Sequence, residues 1–194
     1  KYGSTRIVFG KDITNSYPSP SVAENNPTTI LVKVSHVAAR LDFSQFDVTL
    51  KGFEGNPTVV FDEAKFVNLQ QNGKIVEGDA SVNVKDGAFL NRSNRIGTRW
   101  TDMGTAYGYA NQYRQDSEMN TALYVKFTVD GRTFEKTYPI NPAGITKEVD
   151  HNGIKGGYLY DIKVRWTITP DWGDSTIEFY TRDWVHNSIP EIVL

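Results

Sequence analysis

Three histidines, His36, His151 and His186, are the side chains best suited to proton transfer or metal ligation near neutral pH. They lie far apart in sequence and none has the His-Glu-x-x-His spacing that puts two imidazoles on one face of a helix. His36 falls on an apolar strand face, where a hydrogen-bonded core role is expected. The chain has no cysteine, which removes thiol nucleophiles, disulfides and thiolate zinc sites. Carboxylate pairs occur at Asp62 with Glu63 and at Asp171 with Asp174, but acid–base catalysis needs a geometry that spacing alone does not provide. Asp171-Trp-Gly-Asp174 reads as a hairpin turn rather than a calcium loop, which needs a longer run of oxygen ligands. No Gly-x-Ser-x-Gly elbow, Walker loop or dinucleotide fingerprint occurs. The expectation is a protein with no catalytic residues, no metal and no cofactor.

Two other groups of residues suit recognition. Arg92, Arg95, Arg99 and Arg114 are interleaved with Trp100, Tyr107, Tyr109 and Tyr113. Guanidinium groups beside aromatic faces can hold a sugar or a protein partner. Arg99, Trp100, Tyr107, Tyr109 and Tyr113 are therefore candidate adhesive residues on a long loop, the alternative being that these aromatics fasten that loop to the core. The C-terminal part is apolar in alternation, with Ile177, Phe179 and Trp184 followed by Ile189, Ile192, Val193 and Leu194. Such a tail needs a groove, in its own sheet or in another molecule. Asn91-Arg-Ser93 matches a glycosylation sequon, a pattern short enough to arise by chance.

The elements that must hold these residues are strands. Aromatic residues make up 12% of the chain and only two residues are Met, a balance that favours pleated sheets. Tyr158, Tyr160, Ile162, Val164, Trp166 and Ile168 alternate with mostly polar neighbours, the period of a strand with one face buried. Leu123 to Val129 and Thr133 to Ile140 flank Asp130-Gly131, which supplies the positive φ values of a type I′ turn. That turn sets Phe127 opposite Phe134 and Leu123 opposite Tyr138. Ile30 to His36 and Val37 to Phe43 are apolar in opposite phases, which predicts a bulge near His36 and Val37. Phe46 to Leu50, Thr58 to Phe61, Lys65 to Leu69 and Ser81 to Lys85 read as further short strands, while residues 11–28 and 87–120 lack sustained periodicity. With 21 Lys and Arg against 23 Asp and Glu, no field selects for nucleic acid. No apolar run approaches the ~18 residues of a membrane span.

Three stretches resemble the fimbrillin family, the FimA-like and Mfa-like fimbrial proteins of Bacteroidetes. Leu31-Val-Lys-Val-Ser-His-Val-Ala-Ala-Arg-Leu-Asp-Phe43 is similar to an early core strand leading into a His-x-x-Ala-Arg-Leu motif, matched at His36, Ala39, Arg40 and Leu41. Gly157-Tyr-Leu-Tyr-Asp-Ile-Lys-Val-Arg-Trp166 resembles the late strand, and Ser175-Thr-Ile-Glu-Phe-Tyr-Thr-Arg-Asp-Trp184 the terminal one. Gly156-Gly157 departs from the Arg-Asn common in the family, which bears on a turn, and the chain is shorter than usual members.

The resemblance implies an all-β protein of tandem transthyretin-like Greek-key β-sandwich domains, with a single larger sandwich as the alternative. Residues 1–119, including the 87–119 loop, would form the first domain and 120–194 the second. It further implies export as a lipoprotein precursor, trimming by an extracellular protease, a place at the cell surface in a fimbrium or at the outer membrane, and polymerisation by donor-strand exchange. The partners are then other fimbrial subunits and a host protein or glycan, with membrane contact only through a lipid anchor outside this sequence. A cell-surface carbohydrate- or protein-binding module is the second reading.

Overall fold

A computed structural model of the chain describes residues 37–73, 84–86, 95–141 and 152–171 in full, and the backbone of 174–183. Along the chain run β1 (Ala38–Leu50), β2 (Val59–Val67), β3 (Leu69–Gln70), β4 (Val84–Lys85), β5 (Arg99–Tyr109), β6 (Ala122–Val129), β7 (Arg132–Pro139), β8 (Tyr158–Ile168) and β9 (Asp174–Asp183). No helix occurs among the described residues. The strands form a four-stranded sheet in the order β5-β1-β8-β9, a three-stranded sheet β2-β6-β7 and the small ribbon β3-β4. β1 and β8 are parallel, and the other pairs are antiparallel.

The larger sheets face each other across one core, as a β-sandwich requires. Phe46 of β1 stacks on Trp100 of β5, with ring centroids 5.3 Å apart, and meets Phe127 of β6 edge-on at 5.4 Å. Trp166 of β8 contacts Phe127 at 5.0 Å and Phe134 of β7 at 5.9 Å. Rings from the two sheets thus interdigitate, and each such pair adds about 0.5–1.5 kcal/mol to the burial of its surface.

The hairpin forms in the expected register, with Phe127 opposite Phe134 and Leu123 opposite Tyr138. Asp130 and Gly131 have φ of 44° and 83°. Asp130 also joins the hairpin to the start of β2, since its Oδ1 accepts the Thr58 N–H at 2.7 Å and its own N–H donates to the Thr58 carbonyl at 3.0 Å. β8 spans the expected residues, and inward-facing Tyr160, Ile162, Val164, Trp166 and Ile168 are buried.

Elsewhere the structure differs from the sequence expectation. Residues 38–43 and Phe46–Leu50 belong to one strand, β1, whose register shifts between Phe43 and Gln45: against β8 Ser44 is the extra residue, while against β5 the single Ser44 faces two residues, Asp102 and Met103. This bulge keeps Leu41, Phe43, Phe46 and Val48 all in the core. The bulge expected at His36 and the strand before it fall outside the described residues. A second shift, between Phe61 and Glu63, likewise joins most of the Thr58–Phe61 and Lys65–Leu69 segments in β2, while Leu69 begins β3. Residues 99–109, read as loop, form β5, whose buried positions Trp100, Met103 and Gly108 do not alternate.

Strand pairing also crosses the expected division at residues 119 and 120. β1 pairs with β8 and β2 with β6, so each sheet draws on both sides of Asn120. Asn120 belongs instead to a buried polar knot. Asn111 Nδ2 donates to the Met119 carbonyl at 3.0 Å and to Thr121 Oγ1 at 2.9 Å, and Thr121 Oγ1 donates to the Asn68 carbonyl at 2.8 Å. Asn120 closes the 114–120 loop by accepting the Arg114 N–H at 2.8 Å and donating to the Arg114 carbonyl at 2.6 Å.

Candidate functional site

Alternation along β1 turns Leu41 and Phe43 into the core and Arg40 and Asp42 onto the outer face of the four-stranded sheet. Antiparallel pairing sets Tyr107 opposite Arg40 and Thr105 opposite Asp42. Arg40 Nε donates to Asp42 Oδ1 at 2.9 Å, and the Thr105 hydroxyl donates to the same oxygen at 2.7 Å. That hydrogen bond to the carboxylate holds the Arg40 guanidinium above its ordinary pKa.

At the bulge the two strands part. The Ser44 hydroxyl of β1 donates to the Ile162 carbonyl of β8 at 3.3 Å, while on β5 Asp102 takes a φ of 51° and Gly104 one of 149°. The gap is a cleft of about 160 Å³ lined by Arg40, Asp42, Ser44, Asp102, Gly104 and Thr105, with Phe43 contributing at its floor. Farther along the same face, Asp47 lies between Arg99 and Arg165, at 3.6 Å and 4.0 Å, one from each neighbouring strand. These two arginines are half or more exposed, so the ion pairs contribute no more than about 1 kcal/mol each.

The expected adhesive residues are distributed over β5 and its exit. Trp100 is 5% exposed and packs on Phe46 and Phe61, so it fastens β5 to the core. Arg99 and Tyr107 are exposed, whereas Tyr109 and Tyr113 are half-buried. Arg95 ties its segment to β2, with Nε donating to the Phe61 carbonyl at 2.9 Å and Nη2 to the Asp62 carbonyl at 2.8 Å. Ile177 and Phe179 lie in β9, in register with Val164 and Ile162 of β8. Trp184, Ile189, Ile192, Val193 and Leu194 fall outside the described residues, as do Arg92, His36, His151 and His186.

The sequence reading gave Arg40 only as a position of the fimbrillin-like motif and did not single out Asp42, Ser44, Asp102 or Thr105 as site residues. Their one legible signal is Ser44-Gln45, two polar residues between Phe43 and Phe46 where strict alternation allows one. Among the described residues, no group of three or more His, Asp or Glu could hold a metal ion. Nor is any helix among them long and apolar enough to cross a membrane.

No protein-family model matches the sequence, and no curated protein matches it significantly. Solved structures do. A "putative cell adhesion protein" of Parabacteroides distasonis ATCC 8503 superposes with a TM-score of 0.62 at 21% identity, covering 80% of this chain and 53% of that one. A "putative cell adhesion protein" of Bacteroides eggerthii DSM 20697 gives 0.48 at 16% identity, over 79% of this chain and 57% of that one. The tip fimbrial protein Mfa3 of Porphyromonas gingivalis, with C-terminal truncation, gives 0.45 at 14% identity, over 94% and 62%. The chain therefore spans between 53% and 62% of the length of these structures. What the first of these establishes is that the chain shares the fold of the Parabacteroides distasonis structure.

Proposed function

We propose that the chain is a structural or accessory subunit of a bacterial cell-surface fimbria, and that it works by being joined to other subunits rather than by transforming a substrate. The carrying observation is the sandwich shared with the Parabacteroides distasonis cell adhesion protein over 80% of this chain. The three sequence stretches that resemble fimbrillins support it, and two of them coincide with β8 and β9.

In this reading the subunits join by strand exchange. An inserted strand satisfies the N–H and C=O groups of a sheet edge while its alternate apolar side chains fill the adjoining groove. Ile177 and Phe179 belong to β9, which ends the four-stranded order among the described residues and suits the acceptor side. Trp184, Ile189, Ile192, Val193 and Leu194 follow it and carry the apolar side chains a donor needs. The chain would then be exported and displayed at the cell surface, with other fimbrial subunits as its partners.

Removal of residues 185–194 tests the reading. The truncated chain is expected to keep its thermal unfolding transition and far-UV spectrum while losing the ability to polymerise or to join other subunits, measured by light scattering and electron microscopy. Polymer formed at the full-length rate by the truncated chain would count against it.

A further inference from the structure

The cleft between β1 and β5 lies at the opposite end of the four-stranded sheet from β9, and its chemistry is specific. We infer that it binds a neutral saccharide, with Tyr107 as the stacking platform. Asp102 and Asp42 supply carboxylate acceptors, Arg40 supplies N–H donors and Thr105 and Ser44 supply hydroxyls, all around a volume of about 160 Å³. A sugar diol is donor and acceptor at once, so it is matched by carboxylate, guanidinium and hydroxyl groups converging on one small space.

Tyr107 completes the arrangement. It lies two residues beyond Thr105 on β5 and opposite Arg40, hence on the same face and about 7 Å along the strand. The residue is 56% exposed. A pyranose resting on that ring reaches the cleft with its hydroxyls, while its C–H face covers the apolar part of the aromatic side chain.

The charges decide between ligand classes. One guanidinium against two carboxylates leaves the lining negative by one charge, which disfavours sialic and uronic acids. A bare cation is disfavoured too, because the Arg40 guanidinium already occupies Asp42 at 2.9 Å. A neutral polyol is the class that meets no unfavourable charge. The register shift gives the site its shape, since Asp102 and Met103 of β5 face the single Ser44 of β1 and Asp102 and Gly104 take positive φ.

The test is saturation-transfer difference NMR on the full chain, with methyl glycosides of glucose, galactose, mannose, fucose and N-acetylglucosamine as probes and N-acetylneuraminic acid as the anionic control. At least one neutral glycoside is expected to receive saturation. Tyr107→Ala and Asp102→Asn are each expected to weaken it by about tenfold, while Lys136→Ala, on β7 of the other sheet, leaves it unchanged. Asp102 and Tyr107 are exposed, and Asn tolerates the positive φ at 102, so both variants should keep the wild-type spectrum. Absence of transfer to every neutral glycoside overturns the inference. So does transfer that survives both substitutions, or a stronger signal from N-acetylneuraminic acid.

Discussion

Tyr160 is fully buried, and its hydroxyl accepts the Lys155 N–H at 2.7 Å, tying β8 to the turn that precedes it. Burial pushes its pKa above the ordinary phenol value of 10.0, since the phenolate would lose its hydration. The unfolded chain releases this proton near pH 10 while the folded chain retains it, so the contribution is complete below pH 10 and fades as pH rises toward the folded value. Tyr124 acts in the same direction, because the hydrogen bond its hydroxyl donates to Glu135 at 2.7 Å pushes it up to about 12. In a Tyr124→Phe background, Tyr160→Phe is expected to flatten the fall in denaturation midpoint above pH 10 and to cost about 1 kcal/mol at pH 7 from the lost hydrogen bond. A midpoint that falls equally steeply with both hydroxyls gone would assign the alkaline loss elsewhere. In the same turn, a Cβ on Gly156 would stand 2.2 Å from the Val37 carbonyl oxygen. That oxygen is backbone and cannot swing away, so Gly156→Ala is expected to destabilise by about 2 kcal/mol or more in urea titration. The Gly-Gly that departs from the fimbrillin pattern is thus required where β1 begins.

At the scale of elements, the two register shifts decide what could be read from sequence. The hairpin and β8 were legible because their alternation is unbroken and Asp130-Gly131 encodes its own turn. β1 and β2 were read as fragments, since an inserted residue reverses the phase and reads as a strand end. β5 was hidden for a related reason: Asp102 and Met103 interrupt its pairing with β1, so Trp100 and Met103 turn inward three residues apart. The cleft was illegible because it is made by these interruptions. Deleting Ser44 tests how much the bulge carries. Without it the residues after Phe43 reverse face, and Phe46 and Val48 turn to solvent. Each forfeits about 1.5–3 kcal/mol of burial, a large part of a domain's 5–15 kcal/mol. The deletion is expected to abolish cooperative unfolding, whereas Ser44→Ala, which loses one hydrogen bond of 3.3 Å, shifts the midpoint by no more than about 1 kcal/mol. A Ser44 deletion that still unfolds cooperatively would show that β1 can re-register.

For the whole molecule, the order of strands in the chain and their order in the sheets are at odds in a way that local patterns do not reveal. Composition and alternation point to a β-sandwich, but a division at Asn120 presumes that neighbours in sequence are neighbours in a sheet. Here β1 runs beside β8, whose paired residues lie more than a hundred positions away, and β2 runs beside β6. The polar knot of Asn68, Asn111, Asn120 and Thr121 sits at the point where the sequence suggests a linker, and its buried amides hold the crossing segments together. A chain cut at residues 119 and 120 keeps the β1–β5 pair on one side and the β6–β7 and β8–β9 pairs on the other. Each fragment then exposes one side of the aromatic layer in which Phe46 meets Phe127. Two-stranded pairs without a covered face are marginal in water. Expressed alone, each fragment is therefore expected to lack a cooperative thermal transition and to bind a dye specific for apolar surface. Mixing the two is expected to restore a near-ultraviolet signal from Trp100 and Trp166. A fragment that unfolds cooperatively alone would mean that its half carries a complete core, and strand pairing across Asn120 would then be dispensable for folding.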